Sequence, residues 1–400
     1  MDSAFMVHRR LTAFRSRKVF EERPMTNIEG FCDPKFDAVK AAFESNFKSH
    51  GEIGASVSIF DGANCLVDLW GGHLDTERTK PWQKDSLVNV WSTTKGVTAV
   101  CYAMAVDRGV LRYEDRVADY WPEFGAAGKQ DITIAMLLSH QGGLCGFRQP
   151  AVIDDYYDVE AAAATFAAAE PIWTPGTQSG YHAISIGALA SALFKRAEGR
   201  YIREFVADEL QGRMGLDMFV GLPGDEEGRC APLIAPPEFS SESTAVEFTE
   251  AQIAALVNPP MNALVANTPA WRSAEIPSAN GHMTARALAK LYAALATAGE
   301  INGQRLISQE TQAKATNMQI QGVDAVLGID ARWACGFLLN TNELYGPQSQ
   351  SFGHSGWGGS FGFADPKSGI GVAYTMNRMG TDLVGDPRNM ALIAAIYASL

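Results

Sequence analysis

Apolar residues Phe36, Val39, Phe43 and Phe47 recur at helical spacing behind Asp33-Pro34, an acidic cap followed by a proline suited to a first turn. The pattern predicts an amphipathic helix there. Ala55 to Phe60 and Cys65 to Trp70 flank the turn-forming Asp61-Gly62-Ala63-Asn64 and predict a hairpin. From about residue 92 the period becomes helical, with Val97, Val100, Cys101, Met104 and Ala105 on one stripe that ends at Arg108-Gly109, a cation before a glycine. Helix and loop signals dominate to Gly299, through Val159 to Ala169, Tyr181 to Phe194 and Thr284 to Ala298, and no second sheet is expected among them. Strand patterns return at Trp333 to Leu339, Gly362 to Asp365 and Ile370 to Met376, the last two separated by Pro366-Lys367-Ser368-Gly369. Asp386-Pro387 opens a final helix carrying Met390, Ile393 and Tyr397.

Strands at both ends with helices between them predict an α+β fold. Residues 25–85 and 300–400 should build one antiparallel sheet flanked by helices, and residues 86–299 an inserted, mostly helical domain, with the active site between the two. Residues 1–24 hold Arg9, Arg10, Arg15, Arg17, Lys18 and Arg23 without the apolar core of a secretion signal. They are expected to be a disordered extension or one added for expression, with Met25 as the natural start.

The chain of 400 residues carries 33 Lys+Arg against 45 Asp+Glu, a formal charge of −12, which repels phosphate backbones and anionic headgroups. Nucleic-acid and membrane-surface binding are disfavoured. No apolar run reaches the roughly 18 residues needed to cross a bilayer. The six cysteines, Cys32, Cys65, Cys101, Cys145, Cys230 and Cys335, form no C-x-x-C pair, which predicts reduced thiols and a cytoplasmic protein.

Ser92-Thr93-Thr94-Lys95 falls where the buried helix begins. Residues three apart share a helix face, so Lys95 can take the Ser92 proton if burial keeps the amine uncharged, and the free N–H groups of a first turn favour an oxyanion. Ser45-Asn46-Phe47-Lys48 has the same spacing but lies inside the first helix, where no N–H is free; it reads as a surface coincidence. Pro175-Gly176-Thr177-Gln178-Ser179-Gly180-Tyr181 delivers a phenol at the start of a helix, and His354-Ser355-Gly356-Trp357-Gly358-Gly359-Ser360 is a glycine-rich edge along which a ligand can lie. No G-x-S-x-G, H-E-x-x-H or phosphate-binding glycine loop occurs. His140 is expected to anchor its loop and His354 to shape the site entrance.

With Leu137-Leu138-Ser139-His140-Gln141-Gly142-Gly143-Leu144 and Ser278-Ala279-Asn280-Gly281, these segments make the chain from about residue 30 onward resemble the serine β-lactamase and penicillin-binding-protein superfamily. Within it, the chain is most similar to the β-lactamase-like carboxylesterases called family VIII esterases. The resemblance implies a β-lactamase/transpeptidase-like fold with Ser92 as nucleophile and Lys95 and Tyr181 as general base and acid. It further implies an oxyanion hole from the backbone N–H groups of Ser92 and Ser360, substrate contacts at Trp357, Gly358, Gly359 and His354, and no metal or organic cofactor. Two departures separate it from the β-lactamases. Tyr181-His182-Ala183 lacks the asparagine of Tyr-x-Asn, and Trp357-Gly358-Gly359 stands for the Lys-Thr-Gly strand, an indole in place of a cation. The expected activity is hydrolysis of small, neutral, mostly short-chain esters by a protein that could form a homo-oligomer. Acyl transfer or amide cleavage on the same site, weak β-lactam hydrolysis and a catalytically silent module remain as alternatives.

Overall fold

The structure, a computed structural model, describes residues 26–236 and 247–400. The expectation for residues 1–24 lies outside the described residues.

Nine strands form one antiparallel sheet from the two ends of the chain. β1 (Ile28–Cys32), β2 (Gly54–Asp61) and β3 (Asn64–Gly72) come from the first part, while β10 (Ile320–Val323), β11 (Asp330–Trp333), β12 (Leu338–Leu339), β13 (Phe352–Ser355), β14 (Phe361–Asp365) and β15 (Ile370–Met376) come from the second. Their order is β1-β3-β2-β15-β14-β13-β12-β11-β10, so the join between the two halves is the β2/β15 pair, running from Ala55↔Met376 to Asp61↔Ile370. β15 is buried along its whole length and β2 at all but its last residue; strands covered on both faces have no solvent side to alternate with. The two faces are read from the pleat of β15. Gly371 faces the helix Ala285–Thr297, where a Cβ would strike the backbone of Ala289 and Ala293, and Tyr374 on the opposite face meets Phe43 of α1 (Asp37–Ser49). The C-terminal helix Pro387–Ser399 packs beside α1. Helix Ala285–Thr297 therefore belongs to the layer of the sheet and not to the helical insertion in which residues up to 299 were expected.

Two further sequence expectations are corrected. A second sheet does exist within the helical part: β4 (Leu87–Asn89), β5 (Met218–Val220), β6 (Cys230–Ala231) and β7 (Gly281–Met283), in the order β5-β7-β4-β6. Strands of two or three residues drawn from such distant segments are too short to show a period of two, so tertiary pairing alone defines them. The run Trp333 to Leu339 is not one strand. It turns between β11 and β12, with the Ala334 N–H donating to Phe337 O (2.9 Å) and Gly336 at φ +87° against Ala99. A two-stranded hairpin, β8 (Glu300–Ile301) with β9 (Gln304–Arg305), completes the strands. No helix among the described residues is long and apolar enough to cross a membrane.

Candidate active site

The short β4 strand leads directly into the turn Trp91–Thr93 and then into α2 (Thr94–Asp107), which is buried from Thr94 to Ala105. The turn is held from both sides: Val90 N–H donates to Gly281 O (2.9 Å), Thr94 Oγ1 to Trp91 O (2.6 Å), and Gly281 N–H to Thr94 Oγ1 (2.9 Å). These bonds keep Trp91 at φ +46°, a strained conformation for a bulky residue, one position before Ser92. Nothing in the sequence announces that strain, because tryptophan has no preference for it.

Lys95 Nζ lies 3.0 Å from Ser92 Oγ, 2.7 Å from Ala183 O and 2.9 Å from Ser278 O. The two carbonyls can only accept, so they take two N–H bonds and leave the third position on nitrogen facing the serine. Burial drives the amine well below the usual lysine range, and in the neutral form that third position is a lone pair aimed at the Ser92 hydroxyl. Tyr181, 6 % exposed, stacks on Trp333 with ring centres 5.7 Å apart and planes 9° apart; Lys95 Nζ lies 4.7 Å from its ring centre. Its phenol interacts with the Ser92 hydroxyl, and burial, above all, holds it protonated, well above the usual tyrosine value. The motif serine, lysine and tyrosine thus meet in one place, although Tyr181 lies on a different segment.

The wall opposite the serine differs from expectation. Trp357-Gly358-Gly359 is not strand: β13 ends at Ser355, and Gly358 (φ +90°) and Gly359 (φ +121°) turn the chain where a pleat cannot continue. The strand residues beside Ser92 are His354 and Ser355. Gly356 N–H donates across this turn to Ser360 O (2.7 Å), and the Ser360 hydroxyl is buried on Val90 O (2.7 Å) and Thr93 Oγ1 (3.1 Å). Ser360 therefore sits behind the wall and does not line the cleft with Ser92. Among the described residues the Trp357 N–H meets no acceptor, and its indole lines the cleft with Ser92. The indole of Trp357 packs on Trp91 (5.1 Å), which packs on Trp271 (5.2 Å). Arg388 pins this turn from below. It donates to Gly358 O (2.6 Å) and Arg378 O (2.8 Å) while paired with Glu52 (2.9 Å) and Asp386 (2.8 Å), with 5 % or less of each charged side chain exposed. No sequence pattern singled out Arg388.

The cleft is lined by Ser92, Tyr181, Leu327, Trp333, Leu338, His354, Ser355, Trp357, Leu383 and Val384, with about 20 Å³ of free volume. A cavity of about 650 Å³ between Phe147, Phe166 and Ile253 is far larger but holds none of these groups, so size does not mark the reactive site here. The sequence reading missed Leu327, Trp333, Leu338, Leu383 and Val384, which are ordinary apolar residues until the fold collects them. His354 donates from Nδ1 to Ser355 O (2.9 Å), and burial lowers its pKa to about 3, so the ring is neutral. His140 (φ +63°) accepts the Gly180 N–H at its carbonyl (3.0 Å) and the His182 N–H at Nδ1 (3.3 Å), tying its loop to the Tyr181 segment. Ser45 and Lys48 are both exposed on α1.

Comparison with known proteins places this arrangement in a family. Residues 39–395 match the Beta-lactamase family. The esterase/beta-lactamase LipL of Mycobacterium tuberculosis is 34% identical over 368 residues, 89% of this chain and 84% of that protein. A crystal structure of a family VIII carboxylesterase superposes with a TM-score of 0.89 at 43% identity, covering 94% of this chain and all of that one. A penicillin-binding-protein homologue from Caulobacter crescentus does so with a TM-score of 0.88 at 42% identity, covering 94% and 100%. The chain belongs to the Beta-lactamase family.

Proposed function

We propose that the protein is a serine carboxylesterase that hydrolyses small, neutral, mostly short-chain esters through an acyl-enzyme on Ser92. The observation that carries this reading is the amine of Lys95, whose two N–H bonds are engaged by Ala183 O and Ser278 O and whose lone pair is left for the Ser92 proton. Lys95 takes that proton as Ser92 Oγ attacks the ester carbonyl. The N–H groups of Ser92 and, in place of Ser360, Trp357 receive the oxyanion. Collapse breaks the bond to the alcohol oxygen, which leaves with the Tyr181 phenol proton, and the phenol recovers a proton from Lys95. Water then repeats the sequence: Lys95 removes its proton, its oxygen attacks the acyl carbon, and Ser92 Oγ departs and is reprotonated. The acid product diffuses away.

The apolar lining supports neutral acyl or alcohol groups, and the indole of Trp357 offers no countercharge for a carboxylate. All six cysteines are unpaired, which supports a cytoplasmic setting. A panel of chromogenic esters of increasing chain length, run beside nitrocefin, tests the reading. Neutral short esters should turn over fastest and nitrocefin at most weakly. Efficient β-lactam turnover would favour a β-lactamase, and product diverted to an added alcohol or amine would favour acyl transfer.

A further inference from the structure

Asp324 is completely buried, and its partners are four uncharged N–H donors rather than a cation. Oδ1 accepts from the backbone N–H of Tyr181 (2.9 Å), Val326 (3.0 Å) and Leu327 (3.0 Å); Oδ2 accepts from the indole N–H of Trp333 (3.1 Å). A desolvated carboxylate is costly to keep, and four donors arranged around it are what make it tolerable. Three of those four donors, Tyr181, Leu327 and Trp333, belong to residues that line the cleft with Ser92. The clamp is doubled by Ala325 N–H, which donates to Ser179 O (2.9 Å) two residues before the tyrosine.

We infer that Asp324 is the positioning residue of the phenol, holding Tyr181 by its backbone and holding Trp333, the platform under the Tyr181 ring, by its indole. It touches neither substrate nor the reacting atoms. One carboxylate thereby fixes both the position of the tyrosine backbone and the plane of the ring stacked on Trp333. Its charge acts in the same sense: after burial, the nearby anion is a further reason for the phenol to stay protonated, which is the form that gives a proton to a leaving alcohol. Once the fold brings them together, one short tether governs the acid's aim.

The inference rests on the reading of Tyr181 as the acid that serves the leaving group, and the test separates the two. An alkyl ester expels a strongly basic alkoxide that needs a proton, whereas a p-nitrophenyl ester expels a stable phenolate that does not. Tyr181→Phe and Asp324→Asn are compared with the native enzyme on ethyl and p-nitrophenyl acetate, with active molecules counted by phosphonate titration. Asp324→Asn turns an amide N–H₂ toward donors that need an acceptor and removes the charge. It should lower kcat/KM, which reports acylation and so the departing alcohol, about 100-fold for the ethyl ester and less than about 5-fold for the aryl ester, a split in the same direction as that of Tyr181→Phe. Equal loss on both esters, or no loss, would overturn the role of Asp324 where Tyr181→Phe still shows the split. A Tyr181→Phe enzyme without the split would overturn the acid reading and this inference together. Should Asp324→Asn fail to fold, Trp333→Phe decides, because it keeps a ring under Tyr181 but withdraws the N–H from Oδ2. A split of about 10-fold supports the inference, and an equal loss or none overturns it.

Discussion

Ser45-Asn46-Phe47-Lys48 and Ser92-Thr93-Thr94-Lys95 share one spacing and meet opposite fates. In α1 the serine and lysine stand in water while Asn46 and Phe47 face the core, so the helix uses the pair only as its solvent side. At the start of α2 the helix is buried on all sides, and Lys95 is 4 % exposed with two carbonyls on its nitrogen. Spacing places a hydroxyl and an amine on one face; it does not make the amine a base. What does is the removal of water from Lys95, with no carboxylate among the described residues paired to it, together with carbonyls that leave one lone pair for the serine.

The largest effect that tests this contrast is loss of the nucleophile. Ser92→Ala should lower ester turnover by at least about 10⁴-fold, whereas Ser45→Ala should leave kcat/KM unchanged; the reverse result would exchange the two segments. Lys95→Met should cost about 10³-fold or more in the acylation rate measured by stopped flow, while Lys48→Met leaves it unaltered. Tyr181→Phe should lower kcat about 10³-fold on alkyl esters, a dependence for which α1 has no counterpart. The walls of the site should matter next. Arg388→Met leaves Glu52 and Asp386 buried without their cation and should cost about 3 kcal/mol or more in urea unfolding. An unchanged urea midpoint would remove Arg388 as the brace of the Gly358 turn. The smallest effect belongs to the strained entry turn: Thr94→Val removes the bonds to Trp91 O and Gly281 N and should cost about 2 kcal/mol.

The same contrast explains what could be read from the chain and what could not. Features set by local chemistry were legible: the Asp33-Pro34 and Asp386-Pro387 helix starts, the hairpin around Gly62, and a serine one turn before a lysine at a helix opening. The small sheet of β4 to β7 was not, because each strand is two or three residues long and its partners lie far away in the chain. Nor were Asp324, Arg388 and the apolar lining of the cleft, whose roles arise only from contacts such as Trp333 to Asp324 and Arg388 to Gly358. The glycine-rich segment was read as strand at Trp357 to Gly359, whereas β13 already ends at Ser355. Two consecutive left-handed glycines turn the chain after Gly356, which puts Trp357 on the cleft and Ser360 behind it.

The claim at the centre of this account is that an uncharged Lys95 takes the proton from Ser92. It is tested by following phosphonate attachment to the Ser92 peptide, by mass spectrometry, from about pH 5 to pH 10 in native and Lys95→Met protein. Protonating Lys95 fills the lone pair, so the native rate should fall on acidification through a midpoint well below the ordinary lysine value of 10.5, and Lys95→Met should lose that titration. A titration that persists in Lys95→Met, or a native midpoint at the ordinary lysine value, would contradict it.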